Sequence, residues 1–211
     1  NWAYQKMLKD ANLVITRAEN PNVSWTEDEK NAIVAEAKFF RAYTYNILVN
    51  LFGGVPIVDK EELSPRFDYT RASRKEVLEF IQKDLEFAAR YLPIVTSDAS
   101  QDGRIFRAAA NHLLSEVYIS LGQETGNQAF YNKSIAAATA VIDGSCGEYA
   151  LVKSRFGDTS RPGDYYSDLF WTNQQNRASG NKEGIWVVQF EYLTPGAEEA
   201  NNAQLRLWGP K

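Results

Sequence analysis

A mainly α fold of stacked helical hairpins is predicted by three observations. Apolar residues recur at helical spacing in five separate segments, two of those segments open on capping boxes, and Gly or Pro marks their ends. The first segment places Tyr4, Leu8, Ala11, Ile15 and Ala18 on one stripe and stops near Asn20-Pro21. Thr26, with Glu29 three residues on, caps a long second helix, and Trp25 just before the cap is placed to act as a staple. That helix is apolar nearly all round: Ile33, Ala37, Phe40, Ile47 and Leu51 form one stripe, and Ala35, Phe39, Ala42 and Val49 another. A helix of this kind must be covered on more than one side. Arg41 sits among its apolar residues, where a guanidinium is tolerable only if Glu36, a distant acid or a set of carbonyls receives it. Gly53-Gly54 ends the helix, and Pro56 biases Val55 to an extended shape.

An irregular stretch through Tyr69 follows. Ser73-Arg74-Lys75-Glu76 is the second capping box, and Val77, Ile81, Leu85, Ala88 and Leu92 mark the buried face of a third helix stopped by Pro93. Residues 94–103 read as a surface loop. The period resumes from Arg104 to Leu121, breaks over Gly122 to Asn127, and returns from about Gln128 to Asp143, ahead of Gly144. These last two helices are predicted to form an antiparallel hairpin. Past residue 145 the character changes: short strand-like pieces, Tyr149 to Val152 and Ile185 to Phe190, alternate with loops rich in Gly, Asp and Asn. Two regions are therefore expected, a helical scaffold over 1–145 and an irregular segment with short strands over 146–211.

The block from Glu36 to Val58 resembles the signature of the SusD/RagB family, a Glu-x-x-x-x-Arg-Ala helix running into Phe-Gly-x-Val-Pro. Glu36, Arg41, Ala42, Phe52, Gly53, Val55 and Pro56 stand at its positions. Further pieces follow in the family's order. They are Trp2 to Asn12, Ser73 to Pro93, Gly103-Arg104 with Ala108 to Ala110, Tyr149-x-Leu151, Leu169-Phe170 and Glu183-x-Ile185-Trp186. The resemblance spans essentially the whole chain. It implies that the helical hairpins are tetratricopeptide-like, that a complete member is roughly twice as long, and that an upstream lipidated cysteine anchors it to the outer membrane at the cell surface. It further implies a non-catalytic protein that captures oligosaccharides or polysaccharides and delivers them to a SusC-like TonB-dependent transporter, with the helical repeats facing that partner.

Composition agrees with a globular chain: 211 residues, 44% apolar, are enough to bury a core. The net charge of -4 and the lack of any Lys/Arg run speak against nucleic acid. A single His112, in the middle of a helix, excludes multi-histidine metal sites, and a lone Cys146 excludes an intrachain disulfide. No Gly-rich phosphate cradle is present. No cofactor or metal is expected, and no apolar run approaches membrane-spanning length. The carboxylates Asp84, Glu86, Glu116, Asp164 and Glu183 sit on helices or strand starts, where solvation, capping or structural pairing explains them better than acid/base work.

Sugar binding needs flat aromatic faces ringed by polar groups. Trp171 beside Asn173 to Asn176, Tyr192 near Glu191, and Trp208 after Arg206 supply that mixture, and these three rings are the expected glycan contacts. Each also has a bland reading as core, as does Trp186. A helical-repeat adaptor that binds only protein, and an all-helical glycoside hydrolase, are the rival functions.

Overall fold

The computed structural model describes residues 2–64, 66–171 and 173–189. A wide π-type turn, Ala3–Leu8, runs into α1, Lys9–Ala18. Then come α2, Glu27–Phe52; α3, Arg74–Tyr91; α4, Arg107–Thr125; and α5, Gln128–Ile142. Each helix packs on the next in sequence, so the chain folds as successive antiparallel hairpins, as expected. One apolar core threads the stack, with Phe39 and Tyr45 of α2, Leu78, Ile81 and Leu85 of α3, and Leu121 of α4 essentially shielded from water.

Both capping boxes form. Thr26 Oγ1 accepts the Glu29 N–H at 3.2 Å, and the Glu29 carboxylate accepts the Thr26 N–H at 2.9 Å. Ser73 and Glu76 repeat the exchange at 3.2 and 2.7 Å. Ser73→Ala is expected to lower unfolding stability by about 1 kcal/mol, read from the urea midpoint. The hydrogen bond from the Ser73 hydroxyl, then that from its backbone N–H, holds the Glu76 carboxyl below its ordinary range. A carboxyl depressed in the folded state stabilises above its unfolded pKa and loses that contribution as pH falls through the folded value. The gap between wild type and variant should therefore narrow in acid.

Three expectations are corrected by the packing. On α2 only the Ala35, Phe39, Ala42, Val49 stripe is fully buried; of the other, Ala37 is buried, Ile33, Phe40 and Ile47 are half-buried, and Leu51 is 68% exposed. Helix α4 starts three residues later than its period suggests, because Ile105 and Phe106 are buried just ahead of it, Phe106 in extended conformation. It also runs through Gly122. A Cβ there would lie 2.7 Å from the Tyr131 ring, so this glycine lets α5 approach α4, and the helix instead ends at Gly126 in the left-handed conformation.

Beyond α5 the described chain is irregular, apart from the single turn α6, Tyr165–Asp168, and a 3-10 turn at Arg177–Ser179. The strands expected at 149–152 and 185–190 are not formed among the described residues; Ala150 N–H donates to the Lys182 carbonyl at 3.2 Å, ahead of the second stretch. Side-chain bonds replace the ladder. Val152 N–H donates to the Glu183 carboxylate at 3.1 Å, and the Trp186 indole donates to the Gly103 carbonyl at 3.2 Å.

Candidate functional site

The strongest electrostatic feature lies inside the scaffold. Arg41, buried in α2, donates from Nε and Nη2 to the two carboxylate oxygens of Asp84 on α3 at 2.7 and 2.8 Å. Its Nη1 donates to Asn12 Oδ1 on α1 and to the Asp59 carbonyl, both at 2.8 Å. Phe80 lies under the guanidinium, 4.9 Å from its ring centre. Lys38 adds a third cationic contact to Asp84 at 2.8 Å. A buried charge demands this degree of satisfaction. Arg41 thus ties three helices to the segment after the Gly-Gly-Val-Pro break. Glu36, the nearer acid in sequence, pairs instead with Arg104 at 2.7 Å on the surface.

The two ends of that segment, residues 53–59 and 71–72, are strapped down. The Tyr45 hydroxyl accepts the Val58 N–H at 2.7 Å, and burial pushes this phenol up from its ordinary pKa. Asn12 donates to the Val58 carbonyl at 2.9 Å, and Ala72 N–H to the Val55 carbonyl at 3.2 Å. Arg71 donates to the carbonyls of Phe52 and Gly54, covering the orphan acceptors at the end of α2. The side chains of the signature motif thus serve as scaffold.

The described residues past 145 pack beside these helices. Trp186 meets Phe39, Phe40 and Tyr43 edge-on, at 6.0, 6.0 and 5.6 Å between ring centres, which fastens this region to α2. Trp186 is half-buried against the core, in line with its flanking Ile and Val. Farther out, Asp168, buried, accepts from Arg155 Nε at 2.7 Å and from the Phe156 N–H at 3.1 Å. The Arg155 guanidinium holds the Asp168 carboxyl below the usual carboxylate range. Arg155 also donates to the carbonyls of Gly163 and Arg161 at 2.8 and 2.9 Å, which closes a compact loop. Gln174, buried, crosses to the Phe156 carbonyl at 3.1 Å.

Trp171 is seated on this loop cluster, half-buried, with the Arg161 guanidinium 5.2 Å from its ring centre. Its indole N–H is buried without a partner among the described residues. One face of the ring is thus already occupied by a cation. Of the neighbouring amides Asn173 is exposed, and the other three are engaged. Gln174 is internal, Gln175 donates to the Phe170 carbonyl at 3.5 Å, and Asn176 exchanges hydrogen bonds with Gln189 at 3.0 and 2.9 Å. Tyr192 and Trp208 lie outside the described residues, so the three expected sugar contacts are not brought together in what is described.

The carboxylates weighed as acid/base candidates are each engaged. Asp84 serves Arg41 and Lys38, and Glu86 accepts from the Tyr118 hydroxyl at 2.7 Å. Glu116 stands 3.7 Å from His112 on the α4 surface, Asp164 caps α6, and Glu183 receives Val152. Cys146 is buried, and burial raises its thiol pKa, the opposite of an activated thiolate. Among the described residues no group of His, Cys, Asp or Glu side chains is placed to hold a metal ion, and no helix is long and apolar enough to cross a membrane.

Sequence reasoning missed Asp84 as the partner of Arg41. A signal existed: Asp84 falls on the apolar face of α3 between Ile81 and Leu85, where an acid needs a cation.

The helical scaffold has close counterparts. SusD-like protein P38 of Formosa agariphila is 31% identical over 92% of this chain and 34% of its own length. SusD-like protein P2 of the same organism is 28% identical over 78% of this chain and 28% of its own. A crystal structure of a SusD superfamily protein from Parabacteroides distasonis superposes with a TM-score of 0.70 at 26% identity, over 91% of this chain and 37% of that one. The chain thus spans about a third of the curated relatives it matches, less than the expected half. A family model described as "Starch-binding associating with outer membrane" matches residues 1–119, the stretch that holds the Arg41 knot, its strap and both capping boxes. With more than half of the chain matched to that model, and hairpins shared with solved members, the protein belongs to the SusD-like family.

Proposed function

We propose that this chain is the scaffold-bearing part of a surface lipoprotein of the outer membrane. In this reading the whole protein binds oligosaccharides or polysaccharides without cleaving them and passes them to a SusC-like TonB-dependent transporter. The observation that carries the proposal is the match of residues 1–119 to a starch-binding, outer-membrane-associated family. Residues 1–145 act as the rigid support, and 146–211 begin the ligand-binding part. Within that part Trp208 and Tyr192 are the leading ring contacts. Trp171 contributes less, because Arg161 already covers one of its faces.

The test is retardation of the full-length protein in native gels cast with starch and with other polysaccharides. At least one polysaccharide should slow the wild type, Trp208→Ala should weaken retention by about tenfold, and Trp171→Ala should weaken it less. Equal mobility in every gel overturns the glycan role. New reducing ends in a polysaccharide incubated with the protein overturn the non-catalytic one. Co-purification of a large outer-membrane barrel with the full-length protein tests the delivery step.

A further inference from the structure

Helix α1 and the segment that follows α2 stand side by side, and the space between them is a pocket of about 470 Å³. That falls within the usual range of small-ligand sites, about 300–1,000 Å³. Tyr4, Leu8 and Leu13 line it on the α1 side, and Pro56, Val58 and Tyr69 on the other. Hydrogen bonds between the two sides fix its width. The Tyr4 hydroxyl donates to the Pro56 carbonyl at 2.8 Å, and the Asn12 amide donates to the Val58 carbonyl at 2.9 Å. Asn12 is itself held by Arg41, so the buried knot sets part of the wall before any ligand arrives.

The aromatic and charged groups define what fits. Tyr4 and Tyr69 are 36% and 41% exposed, so both keep ring surface open, although Arg66 lies over one face of Tyr69 at 5.0 Å. Glu61 and Glu62 also line the pocket, but each is paired with an arginine outside its walls, Arg17 at 3.1 Å and Arg66 at 3.5 Å. Lys9 and Lys60, one on each side, are exposed and have no carboxylate partner among the described residues. The charge left over at the rim is therefore positive. Gln5 adds an amide that both donates and accepts. Phenol rings for apolar C–H faces, an amide for hydroxyls and two unpaired ammonium groups for an anion are the complement of an acidic sugar. A fatty acid matches the lysines and leucines but offers nothing to the amide.

We infer that this pocket binds an acidic oligosaccharide, one that bears uronate carboxylates or sulfate esters, with sugar faces against Tyr4 and Tyr69 and an anionic group held by Lys9 and Lys60. The inference rests on the glycan-binding reading above, and adds to it a charge class and a site within the family-matched residues 1–119.

The test is isothermal titration calorimetry of the full-length protein with trigalacturonate, a sulfated disaccharide, maltotriose and octanoate. At least one acidic sugar should bind more tightly than maltotriose, and its advantage should shrink as salt rises, because exposed ion pairs are screened. The double change Lys9→Gln with Lys60→Gln should weaken that binding by about tenfold or more and remove most of its salt dependence. Tyr69→Ala should weaken it at every salt concentration. These side chains are exposed, circular dichroism checks that the variants fold, and Lys75→Gln on the α3 surface controls for net charge. Acidic-sugar binding that the lysine pair leaves unchanged overturns the inference. So does failure of both acidic probes while a neutral polysaccharide still retards the protein; in either case the broader glycan reading stands. Lysine-dependent binding of octanoate without either acidic sugar overturns the saccharide assignment. Binding of no sugar, together with equal mobility in every polysaccharide gel, removes the glycan reading itself.

Discussion

Asp84→Ala is expected to cost the fold about 3–5 kcal/mol, while the double change Arg41→Met with Asp84→Leu recovers most of that loss. The asymmetry follows from what is left behind. Removing only the carboxylate strands the Arg41 guanidinium and the Lys38 ammonium beside a site almost closed to water, and an uncompensated buried charge is far costlier than the pair was worth. Replacing both partners by apolar groups of similar volume removes the ions together with their desolvation penalty. Recovery should stop short of complete, since Asn12 Oδ1 and the Asp59 carbonyl also lose the Nη1 donor. Arg41→Lys should fall between, because one ammonium cannot reach four acceptors set around a planar fork. Urea unfolding of the four proteins reads all of this. A loss below about 1 kcal/mol in Asp84→Ala would mean the site behaves like a solvated surface pair.

The same knot shows how far sequence reasoning reached. Helix positions were legible where local chemistry decides them: the Thr26/Glu29 and Ser73/Glu76 boxes and the Gly53 stop all appear where their residues predict. Boundaries failed where a distant partner decides. Gly122 looks like a breaker until Tyr131 of the next helix fills the space above it, and Ile105-Phe106 looks helical until burial claims both ahead of the helix. Arg41 announced its need for a partner, but choosing Asp84 over Glu36 required knowing how α2 and α3 cross. The candidate sugar site was the least legible part. The exposure of Trp171 depends on Arg161 and on a loop held by Arg155 and Asp168, contacts with no period and no motif. Its two companion rings lie outside the described residues.

Gly54→Ala is expected to cost about 3–4 kcal/mol, although alanine is the smallest possible addition. A Cβ at Gly54 would stand 2.0 Å from the Ala72 carbonyl oxygen and 3.1 Å from the Ser73 carbonyl carbon, both backbone atoms that cannot swing aside. Either the strap or the start of α3 must move. Moving the strap breaks the Ala72–Val55 bond and shifts the Asp59 carbonyl away from Arg41; moving α3 disturbs the Ser73 cap. Gly126→Ala is the control. That residue is left-handed at φ 67° but has nothing within 4 Å of an added Cβ, so its cost is conformational alone, about 1–2 kcal/mol. Hydrogen exchange separates the mechanisms. Gly54→Ala should speed exchange at the amides of Ala72 and Val58, which the close approach holds in place, whereas Gly126→Ala should loosen only the α4–α5 turn. A cost at Gly54 no larger than that at Gly126 would mean that strap and helix give way to the added methyl without loss of packing.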